Sequence, residues 1–203
     1  NAIFTSDGSG AMSGVNSGIA PMVLLSTQTA SAAASVEFTR AITGAFTSAY
    51  KEYIFKFYNL HAHTDEQTFK FQGSVTTSGT YAYGILKTTT SVRAEHDVAG
   101  NTTEFVYWSD LAQSTSGVIL TEASGDEAST SNIGELHLYN PASTTYVKHY
   151  IAITAGQKLG DGRNRVENLF GAGYFNTTSA ITAMKFFFGS GNISCKIKMW
   201  GVK

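Results

Sequence analysis

The sequence predicts an all-β protein, an antiparallel β-sandwich of the jelly-roll type with an extended N-terminal arm. Three observations predict this fold. Apolar and polar residues alternate in short runs, clusters of Gly, Ser, Asn and Asp separate these runs at spacings near ten residues, and helical periodicity is nearly absent. About a dozen strands with no helices between them favour a sandwich over a parallel sheet, which would need βαβ units.

The first 20 residues have a different composition from the rest of the chain. Gly8, Gly10, Gly14 and Gly18 lie among Ser, Asp and Asn residues, which bury little surface and tolerate many backbone conformations. Residues 1–20 are therefore predicted to form a flexible or extended arm. The remaining residues, 21–203, have the length of one domain and are predicted to form a single β-sandwich.

The clearest strands place their apolar side chains on one face. These side chains are Tyr53, Phe55 and Phe57 in one segment, Phe69 and Phe71 in the next, and Ile193, Cys195, Ile197 and Met199 in the last. Further strands are predicted at 22–29, 35–39, 84–93, 104–108, 118–121, 134–139, 145–154, 171–176 and 181–188. One face of each strand is expected to form the core and the other to meet water.

The charge composition argues against nucleic-acid and membrane partners. Fourteen Lys and Arg residues face fifteen Asp and Glu residues, and no basic stripe is present to displace counterions from a phosphate backbone. The longest apolar runs are far shorter than the roughly 18 residues that a membrane span requires. Ser and Thr account for 46 of the 203 residues, so hydroxyl groups are expected to supply most of the polar surface.

A metal site is conceivable at His61, His63 and Glu66. Two histidines two positions apart on a strand project from the same face, and a nearby carboxylate could join them. The spacing resembles the cupin signature, but only two residues separate His63 from Glu66 and Phe55 stands where that signature has a glycine. We interpret the segment as a strand that ends in a polar turn and expect neither metal nor cofactor. A cupin-like metalloenzyme remains an alternative.

Acid–base chemistry has one further candidate. Glu135 and His137 share a face of one predicted strand, and His149 lies in a segment that could neighbour it. A cross-strand hydrogen bond or a solvated surface pair is the commoner use of such residues. The chain also lacks a G-x-S-x-G nucleophile elbow between a strand and a helix. The sequence therefore predicts a protein that is not an enzyme.

Three aromatic residues are candidates for ligand binding or for an interface. Tyr107, Trp108 and Trp200 could each present a ring face to a sugar or to another subunit, because such rings combine an apolar face with a polar edge. Trp200 is predicted to point away from the face that carries Cys195.

Several segments, taken in their order along the chain, resemble a group of virion structural proteins from tailed bacteriophages, especially marine ones. These segments are 35–39, 50–58, 134–149, 172–181 and 190–193, and the resemblance covers 22–203. It implies a non-enzymatic structural protein made in the host cytoplasm and located on the virion surface, as a capsid decoration or cement protein or as part of a fibre. It also implies self-association into a homo-oligomer and binding to other capsid or tail proteins.

A second interpretation belongs to a different functional class. Residues 3–16 resemble the linker repeats of phage fibres, so the chain could be a carbohydrate or receptor-binding module at a tail-fibre tip. Its partner would then be a cell-surface glycan, bound by exposed aromatic residues such as Trp108 or Trp200.

Overall fold

The protein is all-β, and its strands are antiparallel throughout. The computed structural model describes residues 3–6, 12–15, 21–40, 46–101, 103–158 and 164–203. The strands are β1 Ile3–Ser6, β2 Met12–Val15, β3 Met22–Ala33, β4 Val36–Thr39, β5 Glu52–Ala62, β6 Gln67–Ser74, β7 Lys87–Asp97, β8 Thr103–Tyr107, β9 Val118–Ser124, β10 Asn132–Tyr139, β11 Lys148–Lys158, β12 Arg165–Phe175, β13 Ala183–Phe188 and β14 Ile193–Val202.

Nine of the strands follow one hydrogen-bonded path, in the order β3-β14-β5-β10-β11-β9-β6-β13-β4. The path is nearly closed into a barrel-like shape, and the strands at its two ends, β3 and β4, are consecutive along the chain. Three more strands extend from β11 in the order β12-β7-β8. The link between β11 and β9 is a single residue pair, Lys158 with Ser124. The sheet therefore consists of two parts. The eight-stranded part has the order β3-β14-β5-β10-β11-β12-β7-β8, and the four-stranded part has the order β9-β6-β13-β4.

The hydrophobic core lies between these two parts. Phe57 of β5 packs against Phe186 of β13 with ring centroids 5.3 Å apart, and Phe71 of β6 meets the edge of Tyr150 on β11 at 5.0 Å. The core residues named by the alternation pattern are all buried, from Tyr53 at 0% exposed to Cys195 at 7%. The aromatic rings thus hold the two parts face to face.

The sequence correctly predicted the all-β class and the existence of every strand from β3 to β14. The largest boundary error is at β12, which begins at Arg165 and not at residue 171. Within the predicted arm, β1 and β2 form an antiparallel hairpin in which Ile3 pairs with Val15. Residues 1–2, 7–11 and 16–20 of the arm lie outside the described residues, so the flexible arm stays a prediction.

Candidate functional site

The structure does not gather His61, His63 and Glu66 into a ligand set. In the described part of the chain, their ligand atoms do not form a group within 4.8 Å of one another. The His61 Nδ1–H donates to the Thr130 carbonyl oxygen at 3.1 Å, and His63 Nε2 lies 2.7 Å from the Ser194 hydroxyl. Glu66 has a positive φ of 55°, which is typical of a tight turn. Both imidazole side chains therefore form hydrogen bonds at the end of β5 and are not arranged as metal ligands.

Three carboxylates do come together nearby, at Asp65, Asp126 and Glu127. All three are exposed, and no histidine or cysteine among the described residues joins the group. Solvated acidic groups of this kind are common on protein surfaces, so we assign no metal to them.

The predicted aromatic candidates lie in different environments. Tyr107 is 70% exposed and accepts a hydrogen bond from the Thr90 hydroxyl at 3.3 Å. The indole ring of Trp108 is covered on one face by Arg93, whose Cζ lies 4.0 Å from the ring centroid. Trp200 is half-buried on β14 and points away from the Cys195 face, as its position in the alternation predicts. Of the three, Tyr107 offers the most accessible ring.

Glu135 and His137 interact as the sequence predicted, at 3.1 Å between Oε1 and Nε2. The structure adds Glu52 of β5, which binds the other ring nitrogen of His137. His137 lowers the pKa of Glu135 through this hydrogen bond, with a smaller contribution from Lys56. Because carboxylates engage both ring nitrogens, the imidazole has no free nitrogen for a substrate proton. We interpret this network as a structural cross-link of hydrogen bonds between β5 and β10.

His149, the third residue in that candidate set, belongs to a different cluster. Its ring lies 5.8 Å from that of Tyr174 on β12. It borders a groove of about 520 Å³ on the outer face of β10, β11, β12 and β7. A second groove on the same outer face, of about 430 Å³, is lined by residues that include Tyr58, Glu135 and Ile153.

The interior between β7, β9 and β12 contains a charged cluster that sequence reasoning missed. Arg93 is 4% exposed and forms ion pairs with Glu95 at 3.2 Å, with Glu104 at 2.9 Å and with Glu122. Lys158 adds a contact of 3.2 Å to Glu122. Each of these five side chains thus has at least one opposite charge beside it, which offsets part of the cost of burying the charges.

Lys158 and Arg165, the first and last residues of the one basic stretch of the sequence, both belong to this cluster. Arg165 pairs with buried Glu95, and Lys158 pairs with Glu122, so both cations bind carboxylates of this chain. Residues 159–163 lie outside the described residues. The only available signal was the alternation of β7, which places Arg93 and Glu95 on one face without saying whether that face is inside.

A further feature is the exposed edge of β3. This 12-residue strand pairs with β14 on one side, and no strand of the described chain pairs with its other side. Its sequence, MVLLSTQTASAA, contains neither a charged residue nor a proline. Natural proteins usually protect edge strands with charge, proline or short length, because an open edge pairs readily with another chain. The β3 edge lacks all three protections, and two register irregularities in its pairing with β14 leave a regular stretch at residues 26–30.

Comparisons with protein-family models, with curated proteins and with solved structures find no match to this chain. Among the described residues, no helix is both long enough and apolar enough to span a membrane. The assignment of function therefore rests on the residues and their geometry.

Proposed function

We propose that this protein is a non-enzymatic structural component of a tailed-phage virion, located on the particle surface as a capsid decoration or cement protein or as part of a fibre. It acts by binding copies of itself and neighbouring virion proteins. The observation that carries the proposal is the open edge of β3, whose regular stretch at residues 26–30 offers backbone donors and acceptors to another chain.

The strand order supports the finer assignment of a jelly roll. Strands β3, β5, β10 and β14 belong to the large part, in the order β3-β14-β5-β10, and β4, β6, β9 and β13 form the small part, in the order β4-β13-β6-β9. A chain that passes back and forth between two facing antiparallel sheets in this order is characteristic of a jelly roll, a fold used by viral capsid proteins. In this assignment, β7-β8 and β11-β12 are insertions that extend the large part beyond β10.

A second copy of the chain suits the β3 edge because the strand is uncharged. A two-fold axis places each residue near the same residue of its partner, so any charge at the centre would face a like charge. Thr27 and Thr29 are exposed on β3 and pair with Lys198 and Lys196 of β14. Their hydroxyls contribute no charge to such an interface.

The self-association can be tested with the double variant Thr27→Glu and Thr29→Glu. The new carboxylates meet Lys198 and Lys196 within the subunit, so the fold should tolerate them, but they repel each other across a β3–β3 two-fold axis. Light scattering should show an oligomer for the unchanged protein and a monomer for this variant. Glu substitutions of the exposed loop residues Thr144 and Thr145 provide the matched control. An unchanged protein that stays monomeric at high concentration would argue against the proposal.

The proposed location on the virion surface can be tested on purified particles of a phage whose genome encodes this protein. Quantitative mass spectrometry should find many copies per particle, and imaging should place them on the outer surface with β3 at a contact between chains. Absence of the protein from purified particles would contradict the virion assignment, whatever its oligomeric state.

A further inference from the structure

The groove of about 520 Å³ beside Tyr174 has a row of rings across adjacent strands. His149 of β11 pairs with Tyr174 of β12, which in turn pairs with Thr88 of β7. Leu138 pairs with Tyr150, which places Tyr139 of β10 beside His149. Because neighbouring strands lie roughly 4.8 Å apart, the three rings and the threonine form a continuous row on the outer face.

Below this row the sheet face is recessed. Ala172 of β12 lies between Ile151 of β11 and Thr90 of β7, its partners on either side. The small methyl group of Ala172 separates two larger, exposed side chains, and this difference in size produces the depression. Tyr107 extends the far wall, since its hydroxyl binds that of Thr90.

At the Thr88 end of the row, polar side chains form hydrogen bonds with one another. Gln113 donates from Nε2 to the Thr88 hydroxyl at 2.8 Å and accepts from Asn176 Nδ2 at 2.7 Å. Gln113 and Asn176 are exposed, so their remaining donors and acceptors face solvent. The row therefore ends in hydroxyl and amide groups whose positions are fixed before any ligand arrives.

The residues that line the groove carry no carboxylate, ammonium or guanidinium group. A charged ligand such as a phosphate or a sialic acid would find no counter-ion among them. A pyranose ring has the complementary chemistry, with an apolar face of C–H groups and an edge of hydroxyls. The volume lies within the range of small-ligand sites, about 300–1,000 Å³.

We propose that this groove binds a neutral, pyranose-containing oligosaccharide. The rings of Tyr174 and His149 stack on the sugar, and Thr88, Thr90 and Gln113 bind its hydroxyls. This site differs from the one that the sequence suggested around Trp108 and Trp200, and it does not depend on the proposed role in a virion.

The experiment is an NMR titration of the ¹⁵N-labelled protein with cellotriose, maltotriose, tri-N-acetylchitotriose and β-1,4-galactotriose. Each is added to about 20 mM, which detects dissociation constants in the millimolar range. At least one sugar should shift the backbone amides of β11 and β12 around His149 and Tyr174. Absence of shifts with all four sugars would overturn the proposal.

Variants then test the stacking. Tyr174→Ala should weaken binding by about tenfold or more, and Tyr174→Phe, which keeps the ring, should weaken it by less than about threefold. Tyr58→Ala is the matched control, because Tyr58 is a partly exposed tyrosine on the same outer face beside the second groove. Thermal unfolding confirms that each variant is folded.

Two further outcomes would also overturn the proposal. Equal weakening by Tyr58→Ala and Tyr174→Ala would place the sugar elsewhere on the sheet face. Cyclohexanol binding as tightly as the best sugar would indicate an apolar groove with no selectivity for carbohydrate.

Discussion

The side chain of Glu167 accepts a hydrogen bond from the backbone N–H of Glu122 at 2.6 Å, inside the sheet between β12 and β9. Glu167 is 2% exposed, and its second carboxylate oxygen has no hydrogen-bond partner. Burial raises the pKa of Glu167, and the charge of Glu122 adds a smaller increase. The hydrogen bond from the Glu122 backbone and the charges of Arg93 and Lys158 lower it, and the net pKa is about 7. The charged interior is therefore sensitive to pH near neutrality.

The pH dependence of stability follows from this raised pKa. Below about pH 4.5, the ordinary pKa of a glutamate in an unfolded chain, Glu167 is mostly protonated in both states and imposes no penalty. As the pH rises to about 7, the unfolded state gains the advantage of ionising, so stability is lost over this window, by up to roughly 3 kcal/mol. Glu167→Gln should remove the loss. Urea unfolding at pH 5 and pH 8 should show that the stability of the variant relative to the unchanged protein is much higher at pH 8 than at pH 5.

The control for that measurement is Glu66→Gln, which alters an exposed turn carboxylate. This variant measures the effect of a Glu to Gln change at an exposed position at the same two pH values. A Glu167→Gln difference that is independent of pH would mean that burial does not raise the pKa of Glu167.

Arg93→Ala is expected to destabilise the domain strongly. It removes the guanidinium that pairs with Glu95, Glu104 and Glu122. Arg165 and Lys158 then remain as the only ion-pair partners of Glu95 and Glu122 among the described residues, and loss of the shared buried cation should cost about 3–5 kcal/mol. Lys56→Ala breaks the partly exposed pair with Glu135 and should cost no more than about 1 kcal/mol. Chemical denaturation compares the two. Similar losses would show that the interior pairs contribute no more than a surface pair.

Gly173→Ala should destabilise the protein because two neighbours occupy the space of a new methyl group. A Cβ atom there would lie 2.6 Å from the Thr88 carbonyl oxygen and 2.5 Å from the Tyr150 hydroxyl oxygen. Overpacking of this kind costs about 1–3 kcal/mol. Gly171→Ala, two residues earlier in β12, would have its nearest neighbours at 3.6 Å and should be tolerated. Thermal unfolding of the pair measures the difference, and equal midpoints would contradict the expectation.

The thiol of Cys195 should be unreactive in the folded protein. It is 7% exposed, and burial raises its pKa to about 12, so almost no thiolate is present at neutral pH. An aromatic disulfide reagent should modify it only after unfolding, and the native reaction rate should report how often β14 opens. Immediate stoichiometric reaction with the native protein would show that β14 does not bury this residue.

The sequence predicted strands and faces well where the hydrophobic effect decides the face. Phe55 and Phe57 lie on either side of Lys56 and share a face with Tyr53, so their burial followed from a period of two. β7 gave no such signal, because its inward side chains include Lys87, Arg93 and Glu95. Alternation identifies two faces, but only contacts with distant strands show that a charged face is buried and neutralised.

Site residues that depend on strand order could not be predicted. His137 and Glu52 meet because β10 lies beside β5, with Tyr139 paired to Glu52. The row through His149, Tyr174 and Thr88 likewise requires the order β11-β12-β7. Nothing local to these segments specifies the order, since each is a short amphipathic strand that could pair with several others.

The position of β14 between β3 and β5 imposes an order on folding during synthesis. Met22 pairs with Val202, so β3 has no partner until nearly all of the described chain has been made. At about 5–20 residues per second, β3 waits roughly 10–35 s with both edges open. During this interval the uncharged β3 can contact other nascent chains on ribosomes that translate the same messenger RNA. We expect a ribosome-bound chaperone to raise the yield of monodisperse protein more than it raises the stability of the finished fold.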